Sequence, residues 1–317
     1  MLSAAVALVQ PDPVLAQPYP NRPIKLVVGF APGGAADFVS RTIAEPLSRG
    51  LGQSIVVENR AGAGSSIAAE YVAKAAPDGY TILIASPSSI LVNPVISPKA
   101  GFDPRRELAP ITRVSSSPLV VAVNPGVGAD DLRSLIRIAQ SAPGKLNFAT
   151  SGNGSAPHLA AVLFMRLANV DMVHVPFKGG GPAVQSVLAG DTQISFATPP
   201  SVLPLVHAGR LKALAVTSRS RTPLVPGVPG MAEAGLPDYE ISFWYGFFAP
   251  AGTPDEALRR IFAATNEVLR MPRINAALAK EGTETSGSAS PEEFASFIAQ
   301  DGKLWERLVR DSGAKPG

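Results

Sequence analysis

The stretch that most constrains this chain is Gly29-Phe30-Ala31-Pro32-Gly33-Gly34-Ala35-Ala36-Asp37. An apolar, β-favouring run, Ile24 to Val28, leads into it, and apolar residues at helical spacing follow from Phe38 to Leu47. Adjacent glycines between a strand and a helix let the backbone turn sharply and lie close to another molecule. The first N–H groups of the following helix have no intrahelical partner and sit at the positive end of its dipole. Such a loop is either a tight strand–helix connection or a seat for an anion. The rest of the chain has to decide between them.

The same design recurs along the sequence. Ile55 to Glu58 reads as a strand, Asn59 to Ser66 as a second small-residue loop, Ile67 to Ala75 as a helix, and Tyr80 to Ala85 as a strand after the turn Pro77-Asp78-Gly79. This alternation predicts an α/β fold with a mostly parallel sheet covered by helices. Residues 86–110, rich in proline and serine, read as irregular surface structure. Ile111 to Val123 is β-like but interrupted by Ser115-Ser116-Ser117-Pro118, which suits a crossing between domains. Asp130-Asp131 opens a helix through Gln140, its acids well placed at the N-terminus.

A second series follows: strand Leu146–Thr150, loop Ser151–Ala156, and a helix His158–Ala168 with Pro157 as its first residue. Then come strand Met172–Pro176, loop Phe177–Gly181 and a helix ending near Ala189. Strands Thr192–Phe196 and Ala213–Thr217 flank a helix at Ser201–Ala208, and the aromatic run Ser242–Phe248 fits a return crossing. Thr253-Pro254-Asp255-Glu256 and Ser290-Pro291-Glu292-Glu293 are written as capped helix starts. Phe294, Phe297, Ile298, Leu304, Trp305 and Leu308 form one apolar face of the last helix.

At 317 residues the chain exceeds one ordinary core, so two domains are expected. A net charge of +3 with scattered basic residues and 6% aromatics argues against nucleic-acid binding. There is no cysteine, hence no disulfide frame and no thiolate chemistry. Leu2–Val9 is small and apolar, and Val14-Leu15-Ala16 resembles a signal-peptidase site. Residues 1–16 therefore read as a signal peptide. It is a truncated one, because the first basic residue is Arg22. No later apolar run reaches the ~20 residues that span a bilayer. An exported, periplasmic protein is the expectation.

Chemistry-bearing motifs are few. Gly152-Asn153-Gly154 can begin a dinucleotide fingerprint, with Asp171 downstream, but Pro157 stands where the third glycine belongs. There is no phosphate-binding Gly-Lys-Ser/Thr loop and no Gly-x-Ser-x-Gly elbow, and His158, His174 and His207 lack close metal-ligand spacing. No cofactor or metal is expected. Ser151, Asn153 and Ser155 offer a hydroxyl–amide set able to hold a carboxylate. His158 can touch a ligand or fix that loop, the latter being preferred, and His174 reads as a core residue. Asp37 can contact a ligand or cap the helix start.

The ordered set Phe30-Ala31-Pro32-Gly33-Gly34 with Asp37, Glu58-Asn59-Arg60-Ala61-Gly62-Ala63-Gly64, Pro77-Asp78-Gly79-Tyr80-Thr81, Gly154-Ser155 with His158-Leu159, His174-Val175-Pro176-Phe177-Lys178-Gly179-Gly180 and Ala249-Pro250-Ala251-Gly252-Thr253-Pro254 resembles the Bug family. These are extracytoplasmic solute receptors of tripartite tricarboxylate transporters. The resemblance runs the length of the mature chain. It implies a two-lobed, flytrap-like (type II) periplasmic-binding-protein fold with two crossing strands. Lobe 1 would take residues 17–115 and 246–317, and lobe 2 residues 116–245.

The resemblance also implies a carboxylate held by backbone N–H groups and hydroxyls from one loop per lobe: Pro32, Gly33, Gly34, Ala35, Ala36 and Asp37 facing Ser151, Gly152, Asn153, Gly154, Ser155 and His158. Phe30, Ser86, Phe177, Ala197 and Trp244 complete the candidate ligand-binding set, the aromatic members being lobe core in the alternative. The family's frequent Tyr is Phe177 here, and Ala197-Thr198 stands where relatives often carry an acid, which disfavours an amino-acid ligand. Implied partners are a dicarboxylate or aromatic carboxylate and the permease subunits of such a transporter, with the receptor a monomer. A chemosensory receptor, or an α/β enzyme acting on a carboxylate, are the competing readings.

Overall fold

In the computed structural model, residues 19–97 and 101–312 are described; the expected signal peptide lies outside them. Elements run β1 (Ile24–Val28), α1 (Ala35–Leu51), β2 (Ile55–Asn59), α2 (Ser66–Ala73), β3 (Thr81–Ala85), α3 (Asn93–Ile96), α4 (Pro104–Glu107), β4 (Leu108–Pro118) and β5 (Val120–Val123). They continue α5 (Leu132–Ser141), β6 (Asn147–Thr150), α6 (Ala156–Ala168), β7 (Val173–Pro176), α7 (Gly180–Ala189), β8 (Ile194–Ala197), α8 (Pro199–His207) and β9 (Lys212–Val216). The chain closes with α9 (Met231–Ala234), β10 (Ser242–Pro250), α10 (Asp255–Leu269), α11 (Pro272–Lys280), β11 (Glu284–Thr285) and α12 (Pro291–Ser312).

Two mixed sheets result. One has the order β11-β4-β10-β3-β1-β2, the other β7-β6-β8-β5-β9. In the first, β1 pairs in parallel with both β2 and β3, so the chain leaves β1 on one side and returns on the other. In the second, β6 does the same with β7 and β8. Each sheet thus has a topological switch point, the place outside the strand ends where open α/β sheets take their ligands.

β4 and β10 run antiparallel side by side, with Ser242 opposite Pro118. The chain passes between sheets immediately beyond that pair, at Leu119 and Ile241. Thr217 ties both passages together. Its hydroxyl accepts the Leu119 N–H at 2.7 Å and donates to the Ile241 carbonyl at 2.8 Å, while its backbone bonds the same two residues.

Several expectations are adjusted. The first helix begins at Ala35 rather than Phe38, so Gly34 is its N-cap. Residues 88–96 are not irregular surface: Ser88–Val92 is a buried π-helical turn leading into α3. The serine run does not break its strand, because Ser115, Ser116 and Ser117 all pair with β10. Thr253 does not cap α10; its hydroxyl donates to the Pro250 carbonyl at 2.7 Å instead. Ser290 accepts from the Glu293 N–H at 3.1 Å, as a cap should. The α12 face is core as expected, with Phe294 and Trp305 fully buried.

Candidate functional site

The two switch points face each other across a closed cleft. The cavity between them is lined by Phe30, Gly34, Ala35, Ala36 and Ser88 on one side and Ser151, Pro157, Gly180, Ala183, Ser195–Thr198 on the other. Phe243 and Tyr245 from β10 form its floor. The cavity is small, about 20 Å³, room for about one water. Among the described residues no charged side chain lines it. Its polarity comes instead from the N-terminal ends of α1, α6, α7 and α8, each carrying roughly half a positive charge.

The N–H groups at these helix ends differ in availability. Those of Gly34 and Ala35, and of Gly180 and Gly181 across the cleft, have no acceptor among the described residues. A Cβ placed on Gly34 would lie 3.7 Å from both the Gly180 and Gly181 nitrogens, so the N-terminal ends of α1 and α7 abut one another. α6 is different. Its Ala156 N–H donates to Ser88 Oγ at 2.9 Å, Pro157 has none, and His158 N donates to Ser155 Oγ at 3.3 Å. At α8 the first two residues are prolines, so only the dipole contributes.

The lobes meet through backbone. Ala31 N donates to the Lys178 carbonyl at 3.0 Å. Glycine is required where they press closest: a Cβ on Gly179, which has φ +155°, would come 3.0 Å from Ala31 N. The turn Ala63-Gly64-Ser65, all three left-handed, abuts Gly152 and Asn153 of the other lobe. Left-handed conformations at two non-glycine residues store strain of the kind found at ligand clamps.

The sequence candidates divide by position. Phe30, Gly34, Ala35, Ala36, Ser151 and Ala197 reach the cavity. Pro32, Gly33 and Asp37 do not. Asp37 accepts from Gly33 N at 3.2 Å, Arg41 Nε at 3.0 Å and Asn59 Nδ2 at 3.0 Å, which together fix the opening loop from behind. Burial alone would raise its pKa, but the hydrogen bonds from Arg41, Gly33 and Asn59 outweigh it and hold the carboxyl below its ordinary value. Gly152, Asn153, Gly154 and Phe177 line a second interlobe space of about 490 Å³, shared with Asn93 and Phe102. Ser86 does not line the cavity; it is fully buried, its hydroxyl without a partner among the described residues.

Ser155 caps α6 and His158 secures the loop, its Nδ1 accepting the Gly154 N–H at 3.2 Å. His158 stacks on His174 at 4.0 Å, and His174 meets Thr150 Oγ1 at 2.7 Å, so both rings serve the loop's frame. Desolvation lowers His158 to about 4; desolvation and the neighbouring ring lower His174 to about 3. Trp244 faces away from the cleft. Its indole N–H donates to Asp301 at 2.7 Å and its ring packs on Phe294 of α12. The candidate from this strand was placed one residue out of phase, because strand side chains alternate faces; Phe243 and Tyr245 are the cleft-facing pair. Ser88, Gly180 and Thr198 also line the cavity, outside the set that the sequence suggests. For Gly180 the signal was present, three glycines before a helix, the same cue that marked Gly33-Gly34.

A two-lobed α/β binding protein with an anion-favouring cleft between its switch points is the class that fold and site define. The chain belongs to the tripartite tricarboxylate transporter family of receptors, whose family model matches residues 39–314. It is 38% identical over 304 residues to protein BugT of Bordetella pertussis, covering 96% of this chain and 93% of that one. Among solved structures, R. palustris Rpa4515 with adipate superposes with a TM-score of 0.91 at 32% identity, covering 95% of this chain and 100% of that one. MatC (Rpa3494) of Rhodopseudomonas palustris with bound malate gives 0.86 at 31% identity, covering 92% and 100%. Among the described residues no helix is long and apolar enough to cross a membrane.

Proposed function

We propose that this protein is a periplasmic receptor that captures a small dicarboxylate or aromatic carboxylate between its lobes and delivers it to the permease subunits of a tripartite tricarboxylate-type transporter. The observation that carries this reading is the cleft itself: unpartnered N–H groups from helices in both lobes converge on a cavity without a charged side chain. Neutral donors hold an anion without leaving a buried, unpaired arginine when the site is empty. A carboxylate placed between the two helix ends would share these donors between its two oxygens, with the Ser88 and Ser151 hydroxyls beside it. Asp37, Ser155 and His158 would act from behind by holding their loops. The adipate and malate of the two structural relatives support a dicarboxylate, and Phe30, Phe196 and Phe243 offer apolar walls to a carbon chain or ring.

Since the donors come from both lobes, a ligand gains its full set of contacts only when the lobes close around it, standing further apart than here, where the cavity has room for about one water. Moving a 1:99 closed-to-open mixture to 99:1 needs a preference of ~5.5 kcal/mol for the closed state. The test is thermal melting of the purified protein with adipate, malate and benzoate, followed by recovery of the ligand. A binder at 100 times its Kd stabilises by ~2.7 kcal/mol and is recovered unchanged. A ligand recovered chemically altered would favour an enzyme, and no shift with any of the three would remove the reading.

A further inference from the structure

Two buried tyrosines flank the return crossing, and they differ in one respect. Tyr239 is fully buried and its O–H donates to the Ala160 carbonyl at 2.8 Å, as a buried phenol is expected to do. Tyr245 is 6% exposed and lines the cavity, yet its proton has no acceptor among the described residues. Its ring is fixed edge-on against Phe243 at 4.8 Å and its backbone is paired with Ser115 in β4. The hydroxyl oxygen accepts a hydrogen bond from the Ala36 N–H of the first turn of α1, and its own proton is left to be donated elsewhere.

We propose that Tyr245 is the specificity-determining side chain of the site, donating its O–H to a carboxylate oxygen of the ligand. This rests on the carboxylate reading above and adds to it the one side-chain donor that strand alternation places on the floor. Burial raises the phenol well above its ordinary value, the Ala36 N–H opposing this as the smaller effect. The group is therefore a neutral donor throughout the physiological range. It gives an anion a hydrogen bond in a site already positive from helix ends, and it offers nothing to a hydrocarbon terminus. A ligand with a carboxylate at that position should be preferred over the same chain ending in a methyl group.

The test is Tyr245→Phe, which keeps the ring and removes only the O–H. Wild type and variant are titrated calorimetrically with adipate and with hexanoate, a chain of the same length lacking the second carboxylate, and both are melted without ligand. With the melting temperature of the free protein kept within a few degrees, the proposal expects the wild-type preference for adipate over hexanoate to shrink by about 10- to 100-fold in the variant, the range for hydrogen bonds to charged groups. An equal fall in both affinities would place Tyr245 on the carboxylate that the two acids share and overturn its role in specificity. Unchanged affinities for both ligands overturn it while leaving the carboxylate reading intact. Wild-type protein that binds neither probe, nor malate or benzoate, removes that reading and this inference with it. Should Tyr245→Phe fold poorly, tyrosine difference absorbance of wild type on adding adipate serves instead: a shift of a buried tyrosine supports the proposal, and a flat spectrum at saturation overturns it.

Discussion

Gly34→Ala separates the proposed anion seat from everything else that the opening loop does. Gly34 has φ −91° and ψ 173°, a conformation open to any residue, so no backbone strain enters. A Cβ there would meet Ala31 O, Gly180 N and Gly181 N, all at 3.7 Å, which is ordinary contact. The methyl group therefore fits the closed cleft, but it stands directly before the two α7 donors. Each hydrogen bond to a charged acceptor is worth ~1.5–3 kcal/mol. Losing most of two, with some compensation from a shifted ligand, gives about 2–4 kcal/mol, a loss of roughly 30- to 1,000-fold in affinity. Calorimetric titration with the carboxylate that most raises the wild-type melting temperature reads this directly. Alanine is the poorer N-cap, so the free variant should melt slightly lower. Affinity within threefold of wild type would refute the convergence of α1 and α7 on the ligand.

Two further outcomes follow from groups outside the cavity. Thr217→Val strips both crossings of a buried hydrogen bond, leaving Leu119 N–H and Ile241 C=O short of a partner; at ~1–3 kcal/mol for each of the two unsatisfied groups, the variant should melt roughly 3–9 °C lower, and an unchanged melting temperature would contradict the role given to Thr217. Acid should destabilise the fold through His158 and His174, whose pKa values are lowered to about 4 and about 3. Above pH 6.5 folded and unfolded chains are alike neutral at these rings; below it the unfolded chain takes up protons that the fold refuses, so stability falls by ~1.4 kcal/mol per pH unit for each ring until its folded pKa is reached. Denaturant titrations at pH 7 and pH 5 measure this, and His158→Gln should flatten the slope; equal stability at the two pH values would count against a neutral stack of the two rings.

What was legible in the sequence follows from how local each cause is. The strand–glycine–helix grammar is written within ten residues, so β1, the opening loop and α1 were readable, as were the second series from Leu146 and the capped α12. The turn at Ser88–Val92 was hidden because its burial depends on α12 and α2 closing over it, and serines and prolines alone look like surface. The choice between Trp244 and Tyr245 turned on strand phase. That phase is set by Phe294, which packs so close to Gly246 that a Cβ there would come 2.3 Å from the ring, and no local pattern reveals it. The assignment of the second clamp half to the 151–158 loop had a similar limit. Its small polar residues are those of an anion loop, but in the fold Ser155, His158 and Ser88 consume most of its donors, whereas the glycines at 180–181 leave theirs free.

The most direct test of the account compares one acid with its own ester. The carboxylate that gives the largest melting shift is titrated calorimetrically into the protein beside its methyl ester, which keeps the carbon skeleton and removes the charge. Convergent N–H groups in a cleft without charged side chains predict tight binding of the acid and at least a hundredfold weaker binding of the ester. An ester that binds within tenfold of the acid would show that the cleft recognises the skeleton, and the anion seat at Gly34-Ala35 would fall.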